Sequence, residues 1–437
     1  MQICGIKINS YEIIPVKGKN VLFINAEIEE SDEVIACPAC GSVSFYKKGC
    51  YERKVKHTSI LNMPTIIKFK QRRFECRDCK KTFNAQTNFV QKNCRISNDI
   101  KTTIINECRR VQKFEDIGDR LNISASSVER EFDKNVYIDR LEMTRVIAID
   151  EFKANTEYGK FALAIGDPVS GEIIDILPKK TQEYIQFHLN KLKQDELNTV
   201  EYYITDLCES YRTIHRIYFP NATHIADRFH WIKLATKAFN DTRISEMKAI
   251  LLKAKHAMNI EEKNSLLKMY KIIKSNYKLF IANRYKKEPA YFDTELSVSL
   301  SGKEIVTIQD VLEFVLNSNE TIKQAYDLLQ SLYKIAALST YENYNSDIEE
   351  WYKDVRTVNN ARFKSVMNTY KSWKTEIRNS FIINPITLSR LNNGFIEGKN
   401  NYCKVVKRIA FGFKKFEVLR NRIMYENNQN ITIKNKE

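Results

Sequence analysis

Two cysteine pairs stand out by residue type and spacing: Cys37-Pro38-Ala39-Cys40 and Cys76-Arg77-Asp78-Cys79. A CxxC turn aims two thiolates at one point while its backbone amides hydrogen-bond the sulfurs. Two such turns supply the four soft ligands of a tetrahedral Zn²⁺ site. Gly41 follows the first pair and Lys80-Lys81-Thr82-Phe83 the second, without the thioredoxin-like surroundings of a redox motif. The expected zinc is structural; Cys50, His57 and Cys94 fall outside the paired spacing. Two strands and a long basic hairpin should fill the gap, carrying Arg53, Lys54, Lys68, Lys70, Arg72 and Arg73.

Three carboxylates are open to a different chemistry. Two-metal cleavage of a phosphodiester needs acids converging from separate elements, with ions about 4 Å apart. Asp150 closes the apolar run Val146-Ile147-Ala148-Ile149, and Asp206 closes Tyr202-Tyr203-Ile204-Thr205. An acid at the C-terminal end of a buried strand sits where α/β folds place their chemistry. Glu397 opens a basic helix, within Asn392-Asn393-Gly394-Phe395-Ile396-Glu397-Gly398. Helical spacing puts Asn400, Asn401, Lys404 and Arg408 on the side of Glu397, a metal ligand followed by phosphate binders. Tyr402, Val405, Val406 and Ile409 fall opposite and are expected to pack on the sheet.

Several elements must position these groups. Strand patterns are read around 20–28, 65–74, 145–150, 160–165, 172–177 and 200–205, with helical stretches over 182–193 and 210–218. Alternating strands and helices imply an α/β domain with some parallel pairing. Upstream, Phe114 to Arg130 fits a helix-turn-helix. Ile117 and Leu121 face inward, Gly118 allows a close crossing, Asn122 makes the turn, Ser124 caps the next helix and Val128 packs back. Ser126, Ser127 and Arg130 would then face a DNA groove, with Arg109 and Arg110 on the preceding helix. Glu129, Glu131 and Asp133 set acidic charge against that contact. From about 235 to 384, one glycine (Gly302) and one proline (Pro289) interrupt long amphipathic runs, an all-helical block that reads as an insertion.

At 437 residues the chain has room for several domains, and 43% hydrophobic with 28% charged residues describes a globular protein. The net charge of +16 is concentrated, with 18 basic against 5 acidic residues over 38–113 and 11 against 4 over 386–437. Clustered cations mark surfaces that face a polyanion, here nucleic acid. Ten cysteines without an export signal do not make a disulfide framework. No apolar run approaches the roughly twenty residues that span a bilayer. A cytoplasmic protein with no membrane partner is expected, and the frequent Asn, Ile, Lys and Tyr suggest a bacterial source.

Taken together, these motifs resemble insertion-sequence transposases of the ISL-three type, whose DDE catalytic core is ribonuclease-H-like. The resemblance spans nearly the whole chain. It runs from the paired cysteines and helix-turn-helix through Ile149-Asp150-Glu151-Phe152, Asp206, Pro220-Asn221-Ala222 and Ala226-Asp227-Arg228-Phe229-His230-Trp231-Ile232-Lys233-Leu234, to Gly394-Phe395-Ile396-Glu397-Gly398 and Gly412-Phe413. It implies Asp150, Asp206 and Glu397 as the catalytic residues, coordinating two Mg²⁺ (or Mn²⁺) ions. Asp227 and His230 become accessory groups, the imidazole contacting the scissile phosphate or orienting a ligand. Phe395 stands where small or β-branched residues are commoner.

The implied architecture is a multidomain α+β protein. A zinc-ribbon-like β module covers 1–92 and a helix-turn-helix DNA-binding domain 93–140. The ribonuclease-H-like α/β core covers 141–235, is interrupted by the all-helical insertion over 236–385, and is completed by the catalytic-glutamate helix over 386–426; a flexible tail follows over 427–437. The implied activity is binding of terminal inverted repeats in double-stranded DNA and hydrolysis at each element end, freeing a 3′-hydroxyl that attacks target DNA. Lys404 and Arg408 would position DNA, and synapsis of two ends implies a homodimer. Rival readings are a non-enzymatic zinc-ribbon and helix-turn-helix regulator, a catalytically decayed copy, and a structure-selective nuclease on the same fold.

Overall fold

The computed structural model describes residues 5–29, 33–296, 306–385, 387–409 and 415–428. Residues 429–437 of the expected tail, and Gly412-Phe413, lie outside these. The chain forms two compact units: Met1–Arg140 with Lys153–Lys160 and Tyr402–Glu437, and Leu141–Phe152 with Phe161–Asn401.

The first unit begins with β1 (Ile6–Val16), β2 (Lys19–Ile28) and β3 (Glu33–Val34). The long hairpin of β4 (Phe45–Ile60) and β5 (Met63–Cys76) follows, then β6 (Thr82–Asn84) and β7 (Gln86–Thr87). The main sheet runs β1-β2-β5-β4 with β6 also on β5, while β3 pairs with β7. Pairing in the hairpin extends from Phe45 opposite Cys76 to Ile60 opposite Met63. Its tip residues Leu61 and Asn62 take φ of 51° and 60°, the left-handed pair that a tight two-residue hairpin turn requires. Period-two alternation turns Leu22, Ile24, Ala26, Val55, Ile67 and Phe69 into one core, closed by Phe89 and Val90.

Three helices complete this part: α1 (Asn98–Glu107), α2 (Phe114–Leu121) and α3 (Ala125–Asn135). Ile100, Ile104, Ile117, Leu121, Val128 and Phe132 are buried. Asn122, at φ 53°, turns the chain between α2 and α3, and the Ser124 hydroxyl caps α3 by accepting from Ser127 N. A Cβ on Gly118 would meet Ile123 O at 2.6 Å, so only glycine permits this crossing. Lys56 donates to Asn122 O (2.6 Å) and Ser59 to Arg120 O (2.9 Å), fixing the helix pair to β4.

The second unit is built on β8 (Val146–Thr156), β9 (Gly159–Asp167), β10 (Glu172–Leu177), β11 (Tyr202–Thr205) and β12 (Thr223–Ala226). The sheet order is β10-β9-β8-β11-β12, with β10 antiparallel to β9, and β8, β11 and β12 parallel to one another. Three helices, α4 (Gln182–Leu189), α5 (Gln194–Asn198) and α6 (Glu209–Tyr218), supply Ile185, Leu189, Leu197 and Ile214 to a core shared with Ile147, Ile149, Leu163 and Tyr203.

The 29-residue helix α7 (Arg228–His256) runs directly from the end of β12 into the helical block. There α8 (Ile260–Ser275), α9 (Tyr277–Phe280), α10 (Ile308–Ser318), α11 (Glu320–Leu338), α12 (Tyr344–Val358), α13 (Ala361–Ser372) and α14 (Lys374–Asn379) pack around Trp231, Phe239, Leu329, Trp351 and Tyr370. The block is not wholly helical: β13 (Glu295–Leu296) and β14 (Val306–Thr307) pair antiparallel. Arg212 of α6 joins the block to the sheet, donating to Glu376 (2.8 Å) and Ser372 O (2.9 Å). The basic helix α15 (Gly394–Ile409) follows, and α16 (Phe416–Asn427) returns to the first unit. There its buried Arg420, Asn421 and Arg422 donate to the carbonyls of Ile138, Val136 and Arg110. No helix among the described residues is long and apolar enough to cross a membrane.

Candidate active site and zinc centre

Parallel pairing decides which acids meet. Ile204 pairs with Ala148 and Thr205 with Ala226, so β8, β11 and β12 bring Asp150, Asp206 and Asp227 to one edge of the sheet. His230, in the first turn of α7, stands 2.7 Å from Asp206 Oδ1 and 2.9 Å from Asp227 Oδ2 through its Nδ1. Asp206, Asp227 and His230 offer ligand atoms all within 4.8 Å of one another.

The surrounding chain holds these groups in place. Asp227 is nearly fully buried, and its Oδ1 accepts from Asn393 N at 2.9 Å. The Asn393 side chain donates to Ile149 O at 3.2 Å, tying the start of α15 to β8. Asn400, one turn beyond Glu397, donates to Asp150 Oδ2 at 2.8 Å, and Glu151 N donates to Asp150 Oδ1 at 2.8 Å. Glu151 itself is turned to Lys180 at 2.7 Å. Glu397 is half-buried on the wall of a cleft of about 460 Å³ that it shares with Asp227, Arg228, Phe229 and Asn392.

The electrostatics follow from this crowding. Burial, reinforced by the nearby Asp206 carboxylate, pushes the Asp150 carboxyl up to about 6. For His230, burial opposes the charged ring, but the carboxylates of Asp206 and Asp227 outweigh it and raise the imidazole to about 10. An imidazolium thus partly balances three clustered acids. Among the described residues, the buried Asp206 Oδ1 forms no well-directed hydrogen bond despite its closeness to His230, and Asn400 Oδ1 likewise finds no partner. Hard oxygen donors in surplus over the available protons suit a divalent cation such as Mg²⁺ or Mn²⁺.

The four cysteines also converge. Cys37 and Cys79 sulfurs are 3.5 Å apart, as are those of Cys40 and Cys76, and all four lie within 4.8 Å. Each pair sits in a matching knuckle: Gly41 N donates to Cys37 O (2.8 Å) and Lys80 N to Cys76 O (3.1 Å), with Gly41 and Lys80 both at positive φ. The backbone amides of Cys79 and Asp78 lower the Cys76 thiol to about 6. Four closely set thiols with amide support fit a tetrahedral Zn²⁺. Phe45, Phe74 and Phe83 pack beneath them.

The residues expected to contact DNA divide by environment. Arg53 is occupied internally, donating to Gln71 (3.0 Å) and to the carbonyls of Gln91 (2.9 Å) and Cys94 (2.5 Å). Lys54, Arg73, Arg110, Ser126, Arg130, Lys404 and Arg408 are exposed, and Arg72 and Ser127 are half-buried. Arg109 lies 4.7 Å over the Tyr425 ring. Among the acids of α3, Glu131 is buried and its side chain is within 3.4 Å of Asn135, which lessens the charge conflict on that helix.

One helix-face assignment needs correction. The buried stripe of α15 is Ile396, Asn400, Cys403 and Val406, whereas Val405 is 43% exposed. Asn400, expected on the face of Glu397, is buried against the Asp150 carboxylate; Val405, expected to pack on the sheet, is the residue that turns outward. Asn393 was not anticipated; no periodic signal marks a side chain whose role is to hydrogen-bond a strand carbonyl.

Comparison with known sequences gives the class of a chain that carries a four-cysteine cluster and a sheet edged with acids: it is a transposase. Residues 147–423 match the DDE transposase family of the ISL3 type, and residues 33–79 match the zinc-finger of transposase IS204/IS1001/IS1096/IS1165. The chain belongs to the ISL3 family of DDE transposases. It is similar to the transposase for insertion sequence element IS1001 of Bordetella parapertussis, at 19% identity over 407 residues covering 89% of this chain and 88% of that protein.

Proposed function

We propose that this transposase binds the terminal inverted repeats of its own element and hydrolyses the phosphodiester at each end. The freed 3′-hydroxyl then attacks a target-DNA phosphate. The observation that carries this reading is that Asp206 and Asp227 directly follow the parallel strands β11 and β12, while Asp150 lies on β8 two residues past its last pairing with β11, so the three acids share one end of the parallel strands beside the cleft carrying Glu397. A five-stranded sheet with that acid edge, continued by α7 into a helical block, supports a ribonuclease-H-like core with an insertion.

Asp150 and Asp206 would hold the divalent ions, with Glu397 completing the second position. Such ions supply an activated water and a stabilised leaving oxygen. The chain's own groups do the rest. Asn400 and Glu151 N orient Asp150, while Asn393 N fixes Asp227. His230, kept protonated by its two carboxylates, presents a cation beside the acids, suited to a phosphate oxygen. Lys54, Arg73, Arg110, Ser126, Arg130, Lys404 and Arg408 are exposed and suited to the DNA backbone or groove. Two ends cut together call for two copies of the chain.

A labelled duplex bearing the element's end, incubated with Mg²⁺ or Mn²⁺, tests this. Nicking at the element boundary is expected from the wild type and not from Asp150→Ala, Asp206→Ala or Glu397→Ala, all of which should still bind. A wild type that binds the end and cuts in neither metal would leave a DNA-binding regulator or a decayed copy instead.

A further inference from the structure

The acid edge opens onto a cleft whose far side belongs to the helical block. Phe229, between Arg228 and His230 at the start of α7, is 53% exposed there. Its ring stands edge-on to His230 at 5.4 Å, and Lys233 Nζ lies 5.5 Å over it. Asn283, Lys286 and Tyr333 of the helical block also line the cleft, the tyrosine buried and the lysine exposed. At about 460 Å³ the cleft is in the range of small-ligand pockets. It combines an open aromatic face, amide side chains and a cation, beside Asp227 and Glu397.

Those features match the chemistry of one nucleotide. Every base has a π-face that stacks on aromatic side chains, and cationic side chains track the backbone. Enzymes that do chemistry on a base swing its nucleotide out of the stack into a pocket with aromatic or apolar walls, so a displaced nucleotide is a species such a cleft can hold. We propose that this cleft receives a nucleotide displaced from the duplex next to the cleaved phosphate. Its base stacks on Phe229 and turns its polar edge to Asn283 and Asn392, with Lys286 near its phosphate. The helical block thereby supplies part of the substrate site. The proposal rests on the cleavage reading above and assigns that site its single-nucleotide pocket.

The test uses the full chain with duplexes carrying 5-iodouracil at positions flanking the element boundary. Irradiation should cross-link the wild type within residues 226–234, and Phe229→Trp should retain the cross-link while Phe229→Ala loses it. In parallel, Phe229→Ala should cut a fully paired end about tenfold or more slowly, the scale of one lost base–aromatic stack. It should recover when the flanking nucleotide is left unpaired; Lys286→Ala should show the same pattern more weakly. Cross-links that map elsewhere, or a Phe229→Ala defect equal on paired and unpaired ends, would overturn the proposal. A wild type that cross-links at Phe229 yet cuts nothing would sustain the pocket and refute the cleavage reading.

Discussion

Asp150 carries an electrostatic cost at the acid edge that a bound cation would relieve. Its carboxyl is raised to about 6 from 3.8, so folding protects the neutral form. Stability linked to this group is therefore complete below about pH 3.8 and lost as pH rises through about 6, at about 3 kcal/mol in full. Asp150→Asn should remove that loss. In EDTA at pH 7.5 the variant should unfold at higher denaturant than the wild type, and saturating Mg²⁺ should narrow the gap by stabilising only the wild type. Equal midpoints in EDTA would show that the carboxylate is not strained there. At this scale the convergence of the four cysteines is legible, because CxxC spacing is a local signal. The strand expected to close on Asp150 instead runs on through it to Thr156, the apolar run marking where β8 begins but not where it stops. Asp227 follows the edge strand β12 and joins Asp206 through the shared His230 ring. Its strand is only Thr223–Ala226, too short for alternation to announce it.

The helix pair α2–α3 is the element whose sequence and geometry agree most closely. Gly118, Asn122, Ser124 and Val128 occupy the crossing, the left-handed turn, the cap and the buried contact that their types suggest. Gly118→Ala would drive a methyl into Ile123 O, so it should cost about 1–3 kcal/mol, as overpacking does. Equilibrium unfolding should register that loss and gel-shift titration a weaker grip on the element end. Wild-type stability and binding in this variant would mean that the crossing is looser than described. The basic helix α15 was harder to read. Its inward face includes Asn400, which meets Asp150, 250 residues away, while Val405, apolar and expected inside, is exposed.

Across the whole molecule, two donor sets suited to different metals lie in different units, four cysteine sulfurs in the first and clustered acids with a histidine in the second. They should respond separately. Each chain should carry one Zn²⁺, and a zinc chelator should strip hydrogen-exchange protection from β4–β6 and abolish end binding while the β8–β12 sheet stays protected. Loss of protection in both units together would mean that the zinc centre supports the entire fold. What the sequence could not reveal at this scale is the return of α16 to the first unit. Buried Arg420 and Arg422 look like surface charge until their carbonyl partners are seen.

The central claim is that the acid edge of the second unit binds the divalent ions that act on DNA. Replacing Mg²⁺ with Fe²⁺ and adding ascorbate and peroxide releases hydroxyl radicals at the bound metal, which cut the nearby polypeptide. Cleavage next to residues 150, 206, 227 and 397, competed away by Mg²⁺ and absent from Asp206→Ala, is the predicted map. Cuts confined to other regions, or a map unchanged by Asp206→Ala, would contradict it.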